Sequence, residues 1–260
     1  MTTQPLYSTV GGPEGAPFLL LLNSLGATSD MWEPQLNVLQ QHYRTITFDA
    51  RGHGRSPSPA APYSFADLEA DALSVLDAHG ADRATVMGLS LGGMTALGLG
   101  LNAPDRIEKI VCCAARADAP PPFVLNWVDR LAILDDGGIG KVWDGTVDKW
   151  LSDDTRSNHP DRETQLRDAF TATTPVGYRG CAEALKRLDY LKDLGKMTVP
   201  TLFIAGENDV AASPDAMRAM AAACPGSDYT EVPGARHVIN VDKPEAFYLA
   251  VAGFLNLAVD

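Results

Sequence analysis

Ser90 lies between evenly spaced glycines in the run Gly88-Leu89-Ser90-Leu91-Gly92. A serine hydroxyl becomes an effective nucleophile only when a neighbouring base takes its proton. Small residues two positions before and after it let a strand and a helix approach closely at a sharp turn that exposes the hydroxyl. Gly88 and Gly92 supply that room, and Gly93 extends it. Ala84–Gly88 reads as a buried strand and Leu91–Leu101 as an apolar helix, so Ser90 sits at a strand-to-helix turn. The chemistry this arrangement offers is attack on a carbonyl carbon.

Such a serine needs a histidine, an acid to orient that histidine, and donors for the oxyanion. On this kind of elbow the acid and then the histidine follow the serine along the chain. His42, His53, His79, His159 and His237 are present, and His237, in Gly234-Ala235-Arg236-His237-Val238, comes after the candidate acids. Its Nε2 would take the Ser90 proton while the acid holds Nδ1–H. Asp209, in Ala205-Gly206-Glu207-Asn208-Asp209, is preferred as the acid. Glu207 lies too near the preceding strand, and Asp215 falls in the next helix. The Leu91 N–H, at the start of the helix, is one expected oxyanion donor. The second is assigned to the Leu25 N–H, in Asn23-Ser24-Leu25-Gly26 after the first long strand. His53, in the turn-rich run Arg51–Ser56, is expected to organise that turn.

The elements that would position these groups alternate between short apolar runs and helical patterns, the mark of a parallel sheet with crossover helices. Phe18–Asn23, Thr45–Asp49, Ala84–Gly88, Ile107–Ala114, Pro200–Ala205 and Asp228–Val232 read as strands. Before Phe18 there is room for an edge strand or a hairpin. From about Ala117 to Leu194 only helical patterns occur, at Phe123–Leu134, Gly140–Leu151, Arg162–Ala172 and Tyr178–Leu188, and Pro244–Leu257 reads as a final helix. The expected organisation is a core of residues 1–116 and 195–260, with residues 117–194 as a helical cap over the carboxyl edge of the sheet. Arg116 stands where the chain leaves the sheet for the cap, at the edge where open α/β sheets bind ligands. Its guanidinium could take a substrate carboxylate with two parallel hydrogen bonds. Trp150 could close an apolar wall over the ligand.

A chain of 260 residues, 45% of them hydrophobic, can bury a sizeable core. Its net charge of −12 argues against nucleic acid or an anionic membrane as partner. An anionic substrate would therefore require local cations. The amino terminus shows no basic segment leading into an apolar core, and the apolar run Phe18–Leu22 is too short to span a bilayer, so a cytoplasmic location is expected. Cys112, Cys113, Cys181 and Cys224 have no metal or disulfide spacing and read as reduced structural thiols.

With these motifs in place, the chain resembles the 3-oxoadipate enol-lactonase family of α/β-hydrolases from Gly12 onward. The resemblance rests on Asn23-Ser24-Leu25-Gly26, Met31-Trp32, Asp49–Ser56, Gly88–Met94, Ala114-Ala115-Arg116, Lys149-Trp150, Gly177-Tyr178, Gly180-Cys181, His237–Asn240 and Pro244–Phe247. It departs from the family at Leu91, usually methionine, and Leu151, usually phenylalanine. The resemblance implies an α/β-hydrolase fold, a mostly parallel twisted sheet flanked by helices with the helical cap inserted between strands. It further implies a small enol-lactone substrate bearing a carboxylate, opened through a Ser90 acyl-enzyme with no metal or organic cofactor.

Other readings share the scaffold. A carboxylesterase or lactonase for other small esters would keep the mechanism, and a hydrolase of carbon–carbon bonds would keep the serine. A receptor built on the same fold would keep neither. Hydrolases with an aspartate nucleophile are disfavoured because the elbow carries Ser90.

Overall fold

The computed structural model describes residues 4–258. The chain forms β1 (Ser8–Gly11), β2 (Phe18–Leu22), α1 (Glu33–His42), β3 (Arg44–Phe48), α2 (Phe65–Ala78), β4 (Ala84–Leu89), α3 (Leu91–Asn102) and β5 (Ile107–Cys113). Five helices follow without a strand: α4 (Pro121–Asp144), α5 (Val147–Trp150), α6 (Asp153–Asn158), α7 (Pro160–Ala172) and α8 (Pro175–Leu185). The alternation then resumes with β6 (Thr201–Gly206), α9 (Pro214–Ala223), β7 (Asp228–Val232), α10 (Ile239–Asp242) and α11 (Pro244–Leu255).

The seven strands make one sheet in the order β1-β3-β2-β4-β5-β6-β7. All neighbours are parallel except β1, which runs antiparallel to β3 with Ser8 opposite Phe48. Among the described residues, the segment before Phe18 thus supplies one edge strand rather than a hairpin. Strands β4 and β6 are buried at every residue, as a parallel strand covered on both faces must be. The helices α1 and α11 pack together beside the sheet, while α3 lies on β4 and β5 with α2 against it.

The segment from α4 to α8 is tied off at its base, where Tyr190 and Leu191 donate their N–H groups to the Ala117 carbonyl. It rests on the core through two glycines. A Cβ on Gly177 would lie 2.4 Å from Gly52 Cα, so the two backbones touch where any side chain would hold them apart. The span labelled α4 is two helical pieces meeting at Gly138, whose φ of 75° and ψ of −177° are not helical, so the chain breaks between Leu134 and Gly140 as the periodicity predicts. The helix α6 has no apolar stripe to announce it; Ser152 caps it by accepting the Thr155 N–H. The helix expected from Tyr178 starts instead at Pro175, where Thr174 is the cap. Among the described residues, no helix is long and apolar enough to cross a membrane.

Candidate active site

Ser90 occupies the turn between β4 and α3 with φ 57° and ψ −114°, a backbone conformation that a side chain other than glycine adopts only under strain. Its N–H is anchored to the Cys113 carbonyl of the neighbouring strand at 2.8 Å. The flanking glycines are required by contact. A Cβ on Gly88 would lie 2.2 Å from the Gly92 carbonyl oxygen, and one on Gly92 would lie 2.3 Å from that of Leu22.

The structure brings the three sequence-predicted partners together. His237 Nε2 lies 2.9 Å from Ser90 Oγ, and its Nδ1 lies 2.8 Å from Asp209 Oδ2. With Nδ1–H donating to the carboxylate, Nε2 is left as the acceptor for the serine proton. Asp209 follows β6 and is buried. Burial alone would raise its pKa, but His237 and the N–H groups of Ala211 and Ala212 outweigh that and hold it below the usual carboxylate range. The two rival acids are engaged elsewhere. Glu207 accepts the Gly234 N–H at 2.7 Å, and Asp215 is exposed and paired with Arg218.

The Leu91 N–H is at the first position of α3, where no intrahelical acceptor exists and the helix dipole favours negative charge. Leu25 lines the cavity beside Ser24, in the loop after β2. That loop is held by Gly26, whose φ of 83° suits glycine and whose N–H donates to His53 Nε2 at 2.9 Å. A Cβ on Gly26 would also strike the Phe170 ring at 2.4 Å. His53 Nδ1 lies 3.0 Å from the Arg51 carbonyl, so the ring is neutral, donating from Nδ1 and accepting at Nε2. Burial pushes its pKa down, consistent with that state. His53 thus organises its own turn, as the sequence suggested, and also supports the loop carrying Leu25, a link that no local pattern reveals.

Ser90 and His237 open into a cavity of about 480 Å³ between sheet and cap. Its walls are largely apolar, with Leu25, Met94, Phe123, Trp127, Trp150 and Tyr178 among them. Trp150 is buried and meets Trp143 and Phe170 edge-on at 5.7 and 5.5 Å between ring centroids. It therefore serves cap packing as well as the cavity wall. Arg116 also lines the cavity, with its Nη2 3.1 Å from Asp118 Oδ1. Two further cations, Arg130 and Lys149 of the cap, join it, and no Asp or Glu is in the lining. Sequence reasoning did not single out these two as binding residues. The available signal for Arg130 was the absence of an acid three or four positions away on its helix face. Among the described residues, no cluster of side chains is suited to hold a metal ion. The thiols of Cys112, Cys113, Cys181 and Cys224 are free and buried, with pKa values raised by that burial.

Cap and histidine loop are joined by main chain. His237 N–H donates to the Lys149 carbonyl and Val238 N–H to that of Trp150, each at 3.1 Å. Asp242 accepts from Arg236 N–H on one side and from Ser152 on the other. The cap segment that forms one wall of the cavity therefore also fixes the position of the histidine.

Residues 17–244 match the profile of the alpha/beta hydrolase fold family. The chain is 30% identical to 3-oxoadipate enol-lactonase 1 of Acinetobacter baylyi over 95% of its own length and 91% of that protein's. It is 31% identical to RutD, a candidate carbamate hydrolase of Caulobacter sp. strain K31, over 98% and 97% of the two chains. The crystal structure of the enol-lactonase from Burkholderia xenovorans LB400 superposes with a TM-score of 0.93 at 34% identity, covering 96% of each chain.

Proposed function

The chain belongs to the alpha/beta hydrolase fold family, and we propose that within it this protein is a serine hydrolase opening small enol-lactones that carry a carboxylate. The observation carrying this reading is the cavity itself. Ser90 and His237 face a lining that contains Arg130 and Lys149, with Arg116 paired to Asp118, and no carboxylate, in a chain whose net charge is −12. A neutral ester would not call for such a concentration of positive charge. The similarity to enol-lactonases supports the same substrate class.

In the proposed reaction His237 Nε2 takes the Ser90 proton as Oγ attacks the lactone carbonyl. The oxyanion of the tetrahedral intermediate accepts hydrogen bonds from the N–H groups of Leu25 and Leu91. Such donors lower the barrier because they are already in place when the charge develops. The carbon–oxygen bond of the ring then breaks, and His237 returns its proton to the departing enol oxygen. The enol remains tethered to the acyl group and tautomerises to a ketone, which removes the nucleophile that would close the ring again. Water, deprotonated by His237, attacks the Ser90 ester; the acyl–Oγ bond breaks, His237 returns the proton to Ser90 Oγ, and an open-chain dicarboxylate is released. Asp209 remains ionised throughout and stabilises the imidazolium.

The test compares kcat/KM on a carboxymethyl-bearing enol-lactone, its methyl ester, p-nitrophenyl acetate, a carbamate ester and a vinylogous dienone acid. The carbamate is included because of the similarity to RutD. The carboxylated lactone is expected to be the best substrate. A better rate on the dienone would favour carbon–carbon cleavage, and no turnover of any of them would favour a non-enzymatic role.

A further inference from the structure

The three cavity cations differ in what already neutralises them. Arg116 already has an anionic partner within the chain. Its Nη2 is 3.1 Å from Asp118 Oδ1, its Nε reaches the Asp118 carbonyl at 3.4 Å, and its guanidinium lies 5.3 Å from the Phe123 ring centre. To grip a ligand carboxylate it would have to share or abandon a charge it already holds.

Arg130 and Lys149 are in the opposite situation. Arg130 Nε donates to Tyr178 Oη at 2.9 Å and Nη2 to Thr146 Oγ1 at 2.7 Å, and both partners are neutral. Its Cζ lies 5.2 Å from the Trp127 ring centre, which holds the guanidinium plane in place. A guanidinium has five N–H donors, so donors remain after these two bonds. The Lys149 ammonium has neither an ion pair nor a hydrogen bond among the described residues, although it lines the same cavity. Partial burial, and then the positive charge of Arg130, hold its pKa below the ordinary lysine value. Two like charges lining one cavity, with no acid in that lining, repel until an anion joins them. Both are anchored to one short stretch of cap, since Thr146 takes the Arg130 guanidinium and accepts the Lys149 N–H at 2.9 Å. The Lys149 carbonyl in turn holds the His237 N–H.

We propose that Arg130 and Lys149 together receive the substrate's carboxylate and set the preference for anionic substrates, while Arg116 keeps its charge for Asp118. The inference rests on the lactone-hydrolase reading given above, and it moves the specificity determinant from the core to the cap. The Arg130 fork supplies directed hydrogen bonds, and Lys149 supplies a point charge beside the histidine loop.

The experiment measures kcat/KM on the carboxymethyl-bearing enol-lactone and on its methyl ester, which differ only in the charge. Lys149→Met is expected to lower the acid-over-ester preference by about 10- to 100-fold, the range of a charged hydrogen bond, the loss falling mainly on the acid. Arg130→Met should do the same, and Arg130→Lys should recover part of the preference. Arg130 also braces Tyr178 and Thr146, so if Arg130→Met loses its folded circular dichroism signal, Lys149→Met and Arg130→Lys decide the matter. Arg116→Gln should leave the preference within about threefold of wild type, because that side chain spends its charge on Asp118. A preference that survives loss of Lys149 and reduction of Arg130 overturns the inference. So does a preference erased by Arg116→Gln, although the carboxylate reading would then stand. A wild-type enzyme with no preference for the acid would overturn both.

Discussion

Gly26 donates its N–H to Nε2 of His53 at 2.9 Å, so a histidine from the Arg51–Ser56 turn supports the loop that carries Leu25. His53 bonds to the Gly26 N–H and the Arg51 carbonyl, so any effect on the chemistry at Ser90 would pass through the loop. His53→Phe would leave a buried N–H without an acceptor and free the loop to relax. Removing an oxyanion donor outright costs about 10²–10³ in kcat, and a loosened one is expected to cost about 10- to 100-fold, with KM within about threefold. His53→Gln retains an acceptor and should recover part of the loss. Steady-state kinetics beside thermal unfolding make the check. A lower melting temperature with unchanged kcat would mean that the contact serves stability alone.

The choice of acid can be tested in the same way. Asp209→Asn is expected to lower kcat by about 10⁴ by favouring the wrong histidine tautomer. Glu207→Gln and Asp215→Asn should each cost far less, since one caps the Gly234 turn and the other faces solvent. Greater damage from Glu207→Gln would show that the acid has been misidentified.

Asp49 provides a pH test of the fold around the site. Its carboxylate is fully buried and accepts from the Ser29 N–H and hydroxyl and from the Arg55 N–H and guanidinium. Burial opposes ionisation, but those donors prevail and hold the pKa below its ordinary value. Its ionised form therefore stabilises the fold above the unfolded carboxylate value, and that contribution fades as pH falls through the lower folded value. Asp49→Asn should cost about 2–4 kcal/mol near neutral pH, with the gap to wild type narrowing below about pH 4. Urea unfolding at several pH values measures that gap. A gap that does not change with pH would mean that the charge contributes nothing.

The legible part of the site was the part encoded by local pattern and chain order. Ser90 announces itself by its glycines, and Asp209 and His237 by where they fall after strands β6 and β7. The buried strands were legible as unbroken apolar runs. The cap was legible as helical, including the break at Gly138, but α6 was not, because it is a short polar helix with no apolar stripe. Arg116 lines the cavity and is also paired with Asp118, only two residues on, a contact that the motif before the cap does not announce. The isolation of Arg130 and Lys149 could not be read in advance, since what matters is which acids fail to reach them across the fold. The span from His53 to Gly26 is likewise a tertiary contact between two loops, and neither carries a pattern pointing to the other.

The central claim is that Ser90 opens a carboxylated lactone ring, and the most direct measurement is the rate of lactone opening by wild type and by Ser90→Ala. Wild type is expected to turn over the carboxymethyl-bearing enol-lactone at about 1–10³ per second, the common range for enzymes. Ser90→Ala should be slower by a factor on the order of 10⁶, because nucleophile, base and acid act as a unit. Failure of wild type to open the lactone would contradict the account, and so would a Ser90→Ala variant that keeps a tenth of the rate.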